Sequence, residues 1–273
     1  MDSAVERAIS YIWEEYGQPL SLDDLAQSAI LSKFYFCRMF GHATGVSPRR
    51  FLSAVRIYQA KRMLLSTSMH VTDISFAVGY NSLGSFTNRF TDSVGVSPGK
   101  FRRLSNNGGF GPPCPQSDQS YHSATIEGRI LIPKGYSAAS VYVGAFDTAI
   151  VQHCPAAAMV TIGSLGQPHE YRLEGVPAGR WFIHAVAVAD SAHPEPWTRR
   201  ALLVGDEGPV RTADAAGTHA TILLRPRNPA DLPILLALPE LEPALDEFDE
   251  PQAQAPADAS STGAGQLSAH LAR

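Results

Sequence analysis

The chain has 273 residues, enough for two modest domains, and a formal net charge of −4, which by itself argues against a nucleic-acid partner. The charge is uneven, however: residues 1–105 hold 12 Lys and Arg against 8 Asp and Glu, and the remaining residues hold 10 against 18. This asymmetry favours a nucleic-acid-binding module fused to a different domain.

The cysteines and the start of the chain exclude several classes of protein. Cys37, Cys114 and Cys154 are too few and too scattered for a disulfide framework or a zinc site. The first residues lack the basic and apolar regions of a secretory signal, and no run approaches the ~18 apolar residues of a membrane helix. We therefore expect a soluble intracellular protein without a membrane partner, a metal or a cofactor.

The first 45 residues predict three helices. Apolar residues recur at helical spacing in the first helix, which Gly17-Gln18-Pro19 ends. Ser21 is expected to cap a short second helix. A tight turn then leads to a third helix, which Ser32 caps and Gly45 stops.

The same pattern returns 50 residues further on. A long helix is predicted from Ser47-Pro48 to about Ser66, followed by a short helix and a turn at Gly79. Ser82 caps the next helix and Gly95 ends it. Several positions repeat in register, namely Ser32, Phe36, Phe40, Gly45-Val46-Ser47-Pro48 and Phe51 with Ser82, Phe86, Phe90, Gly95-Val96-Ser97-Pro98 and Phe101.

The second half of the chain has a different pattern. Residues 106–120 are rich in Gly, Pro, Asn and Ser and predict a linker. Alternating apolar residues and turn signals in residues 121–228 predict an antiparallel β-sandwich, and residues 229–273 predict an acidic, disordered tail. The predicted fold class is therefore α+β multidomain, with an all-α double helix-turn-helix domain in residues 1–105 followed by the sandwich.

A short helix, a tight turn and a second helix form a helix-turn-helix, whose second helix enters the major groove of DNA. The reading helices are expected near residues 32–43 and 82–93. If the repeated phenylalanines are buried, steps of 100° per residue point a different set of side chains outward. That set is Phe34, Arg38 and Gly41, with Cys37 on the flank, and Gly84, Asn88 and Thr91, with Thr87 on the flank and Leu83 in the first turn.

These outward residues have the chemistry of base recognition. Arg38 can donate two hydrogen bonds to guanine, and Asn88 can pair with adenine. Phe34 or Leu83 can pack on a thymine methyl group, and Gly84 lets the backbone approach the groove. Phosphate contacts are expected from the capping turns and nearby cations, which comprise Ser32, Lys33, Arg49, Arg50, Ser82 and Arg89.

Residues 1–105 resemble the DNA-binding domain of the AraC/XylS family of bacterial transcription regulators. The matching residues are Leu25-Ala26, Phe40, Gly45, Ser47-Pro48, Arg56, Ala60, Leu64-Leu65, Asp73-Ile74, Val78-Gly79-Tyr80, Phe86, Arg89-Phe90, Gly95, Ser97-Pro98 and Phe101-Arg102. The resemblance implies two helix-turn-helix units on one rigid helix, which read successive major-groove segments of double-stranded DNA. It places the base-reading positions at Phe34, Cys37, Arg38, Leu83, Gly84 and Asn88, and implies a cytoplasmic, nucleoid-associated protein.

The family often joins this domain to a sensing or dimerising domain. Here residues 171–182 resemble a turn of the carboxypeptidase-regulatory-like, or transthyretin-like, β-sandwiches. The sequence leaves open whether this domain binds a small-molecule effector, forms a homodimer or contacts another protein such as RNA polymerase.

No catalytic constellation appears in the sequence, so we do not expect an enzyme. His153 next to Cys154 lacks a surrounding motif, and His184, His193 and His219 lack the spacing of metal ligands. Tyr171, Trp181 and Trp197 are expected in a sandwich core rather than a ligand pocket. One alternative stays open: a scaffold, or a ligand- or carbohydrate-binding sandwich, whose DNA-binding domain is vestigial or non-specific.

Overall fold

The computed structural model describes residues 3–106, 123–163, 169–191, 200–213, 217–228 and 230–237. Within these ranges, seven helices precede nine strands, as the predicted fold class requires. No helix in these ranges is long and apolar enough to cross a bilayer. The helices are α1 (Ser3–Glu15), α2 (Leu22–Ser28), α3 (Lys33–Thr44), α4 (Pro48–Ser66), α5 (Val71–Ala77), α6 (Leu83–Val94) and α7 (Pro98–Asn106).

The helix ends follow local capping chemistry. The Ser21 hydroxyl accepts from the Asp24 amide, and the Asp24 carboxylate accepts from the Ser21 amide in return, which completes a capping box. Gly45 and Gly95 end α3 and α6 in the left-handed region, at φ of 74° and 89°. Ser32 differs from the prediction: it occupies the N-cap position of α3, but its side chain makes no capping hydrogen bond.

The two short helices are not in perfect register with the 50-residue repeat. Helix α5 begins and ends one residue early relative to α2, whereas α6 repeats α3 in register. The turn of the second unit is therefore one residue longer. Both turns place the second residue after the short helix in the left-handed region, Ile30 at φ 58° and Gly79 at φ 84°. Glycine adopts this conformation without a steric cost, and isoleucine does not.

A repeated aromatic core supports each unit. The rings of Phe36, Phe40 and Phe51 form a chain with centroid separations of 5.4 Å, and all three side chains are fully buried. Phe86, Phe90 and Phe101 repeat it at 5.6 and 5.8 Å. Truncating one such ring to alanine typically costs about 3–5 kcal/mol.

The strands form two sheets. One sheet has the order β4-β1-β7, with β8 also paired to β1, and the other has the order β3-β2-β5-β6-β9. The strands are β1 (Ser123–Leu131), β2 (Tyr136–Phe146), β3 (Ala157–Gly163), β4 (His169–Pro177), β5 (Gly179–Ser191), β6 (Arg200–Thr212), β7 (Gly217–His219), β8 (Ile222–Leu223) and β9 (Arg225–Pro226).

The two sheets enclose one core, as in a sandwich. Ile126 and Leu173 from the first sheet pack with Val143, Ala185 and Leu203 from the second, and all are buried. Most pairings are antiparallel, as predicted, but β1 pairs in parallel with both β7 and β8. The sequence did not indicate these parallel pairings because β7 and β8 are only three and two residues long.

Residues 230–237, which we call the strap, belong to the packed structure although the sequence assigned them to the tail. Ile234, Leu235, Leu236 and Ala237 are buried. The predicted tail therefore begins too early, because the apolar side chains of residues 234–237 are buried against other parts of the protein. The rest of the predicted tail, nearly all of the predicted linker, Cys114, His193 and Trp197 lie outside the described residues.

Candidate nucleic-acid interface

The first candidate reading helix is α3, whose core side is set by Phe36 and Phe40. The opposite side carries Phe34, which is 82% exposed, and the exposed Arg38. Both side chains are therefore accessible, as base recognition requires. The Arg38 guanidinium lies 5.3 Å from the centre of the Tyr35 ring, within the range of a cation–π contact.

Tyr35 lies beside the candidate site and was not among the residues predicted from the sequence. Its side chain is 42% exposed and lies three residues before Arg38, on the same helix surface. A ring beneath a guanidinium reduces the number of conformations that the arginine samples. The signal was present in the sequence as an aromatic residue at i−3 from the predicted reading arginine.

The second candidate reading helix is α6, which presents smaller side chains. Leu83 is 39% exposed, and a Cβ built on Gly84 would meet no atom within 4 Å. Asn88 is exposed. The open space at Gly84 allows a close approach of the helix backbone to a ligand.

The two predicted flank residues are less accessible. Cys37 and Thr87 are both half-buried. Thr91 bonds back to the helix, since its hydroxyl donates to the Thr87 carbonyl at 2.7 Å. Cys37 lines an open cavity of about 600 Å³ between α2, α3 and the start of α4, which Arg49 and Tyr80 also line.

Some of the predicted phosphate contacts are exposed, and others are already bonded within the protein. Arg49 and Arg50 are exposed in the first turn of α4, and Lys33 is exposed with its Nζ 2.7 Å from the Asp23 carboxylate. An ion pair between exposed side chains contributes about 0–1 kcal/mol, so Lys33 can exchange its partner for a phosphate at little cost. The Ser82 hydroxyl is already engaged, because it accepts from the Ser85 amide.

Arg89 differs from the other cations. It is half-buried, and its Nε donates to the Ser53 hydroxyl at 3.1 Å, so it joins α6 to α4. Nearby, burial raises the pKa of the Tyr80 phenol, while hydrogen bonding with Ser53 and the charges of Arg89 and Arg56 oppose that rise. Arg89 therefore supports α6 from inside the domain, and its contact with phosphate stays a prediction.

Two arginines, one on α4 and one on α7, each join the helix after a helix-turn-helix to the end of the helix before it. Arg56 donates to the Tyr16 and Gln18 carbonyls at 2.8 and 2.7 Å, just beyond the end of α1. Arg102 donates to the Leu64 carbonyl at 3.1 Å and the Thr67 carbonyl at 3.3 Å, at the end of α4. A cation at a helix C-terminus also interacts favourably with the helix dipole. Burial lowers the pKa of Arg56.

Two glycines allow the units to meet beside Arg56. A Cβ on Gly17 would lie 2.7 Å from the Ala77 carbonyl oxygen. A Cβ on Gly79 would lie 2.9 Å from the Arg56 guanidinium and 3.0 Å from the Gly17 carbonyl oxygen. Any side chain at either position would push the end of α1 away from the end of α5, so this junction holds the two units in contact.

The described residues offer no cluster of three or more His, Cys, Asp or Glu side chains suited to a metal ion. Burial lowers the pKa of His184, against the opposing effects of Asp206 and a hydrogen bond with Thr148. Tyr171 lies in the core between the two sheets, and Trp181 packs against that core.

Comparison with known proteins identifies the helical part. Residues 25–104 match the model of a family described as a helix-turn-helix domain. The lactose operon transcription activator of Staphylococcus xylosus is 29% identical over 98 residues, which cover 36% of this chain and 35% of that protein. The HTH-type transcriptional regulator YobQ of Bacillus subtilis is 34% identical over 95 residues, which cover 35% of this chain and 39% of that protein.

A solved structure is also similar, the C-terminal domain of AraT, a response regulator from Geobacillus stearothermophilus. It is 33% identical with a TM-score of 0.36, over 37% of this chain and 84% of that one. The chain thus spans only about two fifths or less of the two curated relatives' length. Residues 25–104 therefore form a helix-turn-helix domain, the part of the chain that resembles the DNA-binding domain of the AraC/XylS family.

Proposed function

We propose that the whole chain is a sequence-specific DNA-binding transcription regulator that reads two successive major-groove segments with α3 and α6. The observation that carries this proposal is the repetition of one design at an offset of 50 residues. In both helices, two phenylalanines face the core and the opposite side is accessible. The names of the relatives, which describe regulators of transcription, support the same conclusion.

Base recognition is assigned to the accessible faces. Arg38 donates to guanine, Asn88 pairs with adenine, and Phe34 and Leu83 pack on thymine methyl groups. Cys37 and Thr87 border these contacts, and Gly84 brings the backbone close to the groove.

Phosphate contacts position the domain without selecting a sequence. They are assigned to Lys33, Arg49, Arg50 and Arg89, and to the turns at Ser32 and Ser82. The first helix is expected to provide the stronger readout, because a bidentate arginine contact is the commonest specific contact to DNA.

The remaining expectations complete the proposal. The chain acts on the nucleoid in the cytoplasm, and its role is regulatory rather than catalytic. RNA polymerase, a small effector and a second copy of the chain stay candidate partners of the β-domain (residues 123–237).

Selection of bound sequences from a random duplex pool tests the proposal. The full chain should enrich two specified segments whose centres lie about one helical turn, roughly 10 base pairs, apart. A single enriched segment would show that only one helix reads bases. A pool without enrichment would favour a vestigial or non-specific DNA-binding domain and contradict the proposal.

A further inference from the structure

The β-domain reaches the C-terminal ends of both reading helices. Its loop at residues 147–153, here called the interdomain loop, places Ala149 beside Gly45, where a built Cβ would lie 3.3 Å from the Ala149 Cβ. At the other end of this loop, the His153 amide donates to the Ser93 carbonyl of α6 at 3.0 Å. The last four carbonyls of a helix lack partners within the helix, so this contact satisfies one of them from outside.

The strap makes the matching contact on the same helix. The Ala237 amide donates to the Val94 carbonyl at 3.2 Å. The strap is also joined to the interdomain loop, because the Leu235 and Leu236 amides both donate to the Val151 carbonyl, at 2.8 and 3.0 Å. Loop and strap therefore hold the end of α6 as one hydrogen-bonded unit.

Alternate strap residues pack into different cores. Leu235 and Ala237 belong to the helical core, together with Ile150 of the interdomain loop. Ile234 and Leu236 cover Val186 and Leu202 on the outer face of the five-stranded sheet. A segment that is buried on both sides fixes the separation of the two surfaces that it touches.

The strap is also anchored to the linker helix α4. Lys61 is 2% exposed, and its Nζ donates to the Leu236 carbonyl at 3.1 Å and the Ile234 carbonyl at 3.5 Å. A buried ammonium group is tolerated only with such partners. At the entry to the strap, the Arg225 guanidinium binds the Asp231 carboxylate through two hydrogen bonds.

We propose that the interdomain loop and the strap form a brace that sets the spacing of the two DNA segments. The junction at Gly17 and Gly79 and the hydrogen bond from Arg89 to Ser53 of α4 join the two units at or before the middle of α6. The brace adds contacts beyond these joints, at the C-terminal ends of α3 and α6. This inference rests on the proposed function, since spacing matters only if both helices read DNA.

Backbone strain in the interdomain loop agrees with this role. His153 adopts φ 61°, a left-handed conformation that non-glycine residues avoid. Such strain persists where surrounding contacts enforce it. The hydrogen bond from the His153 amide to the Ser93 carbonyl of α6 is one such contact.

The test compares binding of the full chain to duplexes with the selected spacing and with one base pair inserted. One base pair rotates the second segment by about 35° and moves it by about 3.4 Å. The wild-type chain should lose about tenfold or more in affinity on insertion, comparable to losing one base contact. Leu235→Asp detaches the strap from the helical core. The affinity of this variant should fall by threefold or less, about 0.7 kcal/mol, when the base pair is inserted.

Controls separate the brace from general destabilisation. Leu223→Asp changes a leucine that is 63% exposed in β8, and it should keep the wild-type preference for spacing. Lys61→Met removes the strap anchor while keeping the size of the side chain, so it repeats the comparison if Leu235→Asp fails to fold. An unchanged spacing preference in the folded brace variants would overturn the proposal.

Amide hydrogen exchange tests the brace without DNA. In Lys61→Met, the amides of His153, Ala237 and the last turn of α6 should exchange at least about tenfold faster than in the wild type, while those of α5 keep their rates. Unchanged exchange at these amides would refute the brace even if no DNA were bound. Absence of DNA binding by the wild type would refute the proposed function alone.

Discussion

Ile30 provides a sharp test of the local geometry of the first helix-turn-helix. It adopts φ 58° and is 80% exposed, so its conformation is unfavourable while its side chain contributes little burial. The left-handed conformation costs an L-residue about 1–2 kcal/mol. We therefore compare Ile30→Gly with Ile30→Ala, because both remove the isoleucine side chain and only alanine retains the cost of the conformation.

The expected difference can be estimated from the backbone alone. Glycine costs roughly 0.5–1 kcal/mol more than alanine through the entropy of the unfolded chain. Subtracting the midpoint of this range from the midpoint of the left-handed penalty leaves Ile30→Gly more stable than Ile30→Ala by about 0.75 kcal/mol. The free energies of unfolding from urea denaturation give the comparison directly.

At a matched control position inside a helix, the alanine variant should be more stable than the glycine variant. Ser10 is exposed within α1, so Ser10→Ala should be more stable than Ser10→Gly by about 1 kcal/mol. Gly79→Ala should lower the free energy of unfolding by more than about 2 kcal/mol, because the strain of a left-handed alanine adds to the close contacts with Arg56 and Gly17. If Ile30→Ala proved as stable as Ile30→Gly, the left-handed turn in the first unit would be wrong.

Four further changes have defined outcomes. Arg38→Ala should weaken binding to the selected duplex by about 1–3 kcal/mol and relax preference at one base pair, whereas equal weakening on all sequences would make Arg38 a phosphate contact. With four cationic phosphate contacts, the logarithm of the DNA-binding constant should fall against the logarithm of the salt concentration with a slope of about −3 to −4. Arg49→Gln should make this slope shallower by about 1, which titrations at several salt concentrations measure. Arg56→Met should lower the free energy of unfolding, measured by urea denaturation, by about 2–4 kcal/mol, because this half-buried side chain would no longer donate its two hydrogen bonds. Burial, with a smaller effect of Glu207, raises the pKa of Tyr171 above its ordinary value of 10.0. The phenol ionises first in the unfolded chain, so the free energy of unfolding should fall as pH rises above about 10, and Tyr171→Phe should make that fall smaller.

Local chemistry explains why most of the helical domain could be predicted from its sequence. Serine before a helix, proline at its first residue and glycine after its end act within a few residues, so their pattern can be recognised directly. Ser21, Ser47-Pro48, Gly45 and Gly95 all behave as predicted. Ser32 shows the limit, since its position was correct but its side chain does not cap the helix.

Long-range contacts explain most of what the sequence could not indicate. Lys61 and the Leu236 carbonyl are 175 residues apart, and no periodicity links an α-helical lysine to a segment of the predicted tail. Arg89 was assigned to phosphate because it lies on a reading helix, yet its bond to Ser53 depends on how α6 packs against α4. The roles of the base-reading residues and the resemblance of the β-domain to transthyretin-like sandwiches stay predictions.

The asymmetry between the two reading helices follows from the same residues. Helix α3 carries an arginine against an aromatic ring, whereas α6 carries Leu83, Gly84 and Asn88. Among the described contacts, the brace donates two backbone hydrogen bonds to α6, and its Ala149 lies beside Gly45 at the end of α3. The helix with the weaker predicted readout is therefore one whose last carbonyls the β-domain binds.

A double-mutant cycle between protein and DNA tests the central claim most directly. Arg38→Ala and Asn88→Ala would each be titrated against every single-base substitution of the selected duplex. Each variant should become insensitive to one base pair, and the two base pairs should lie in different segments about one helical turn apart. Coupling of both variants to the same segment, or a uniform loss at every position, would contradict the account.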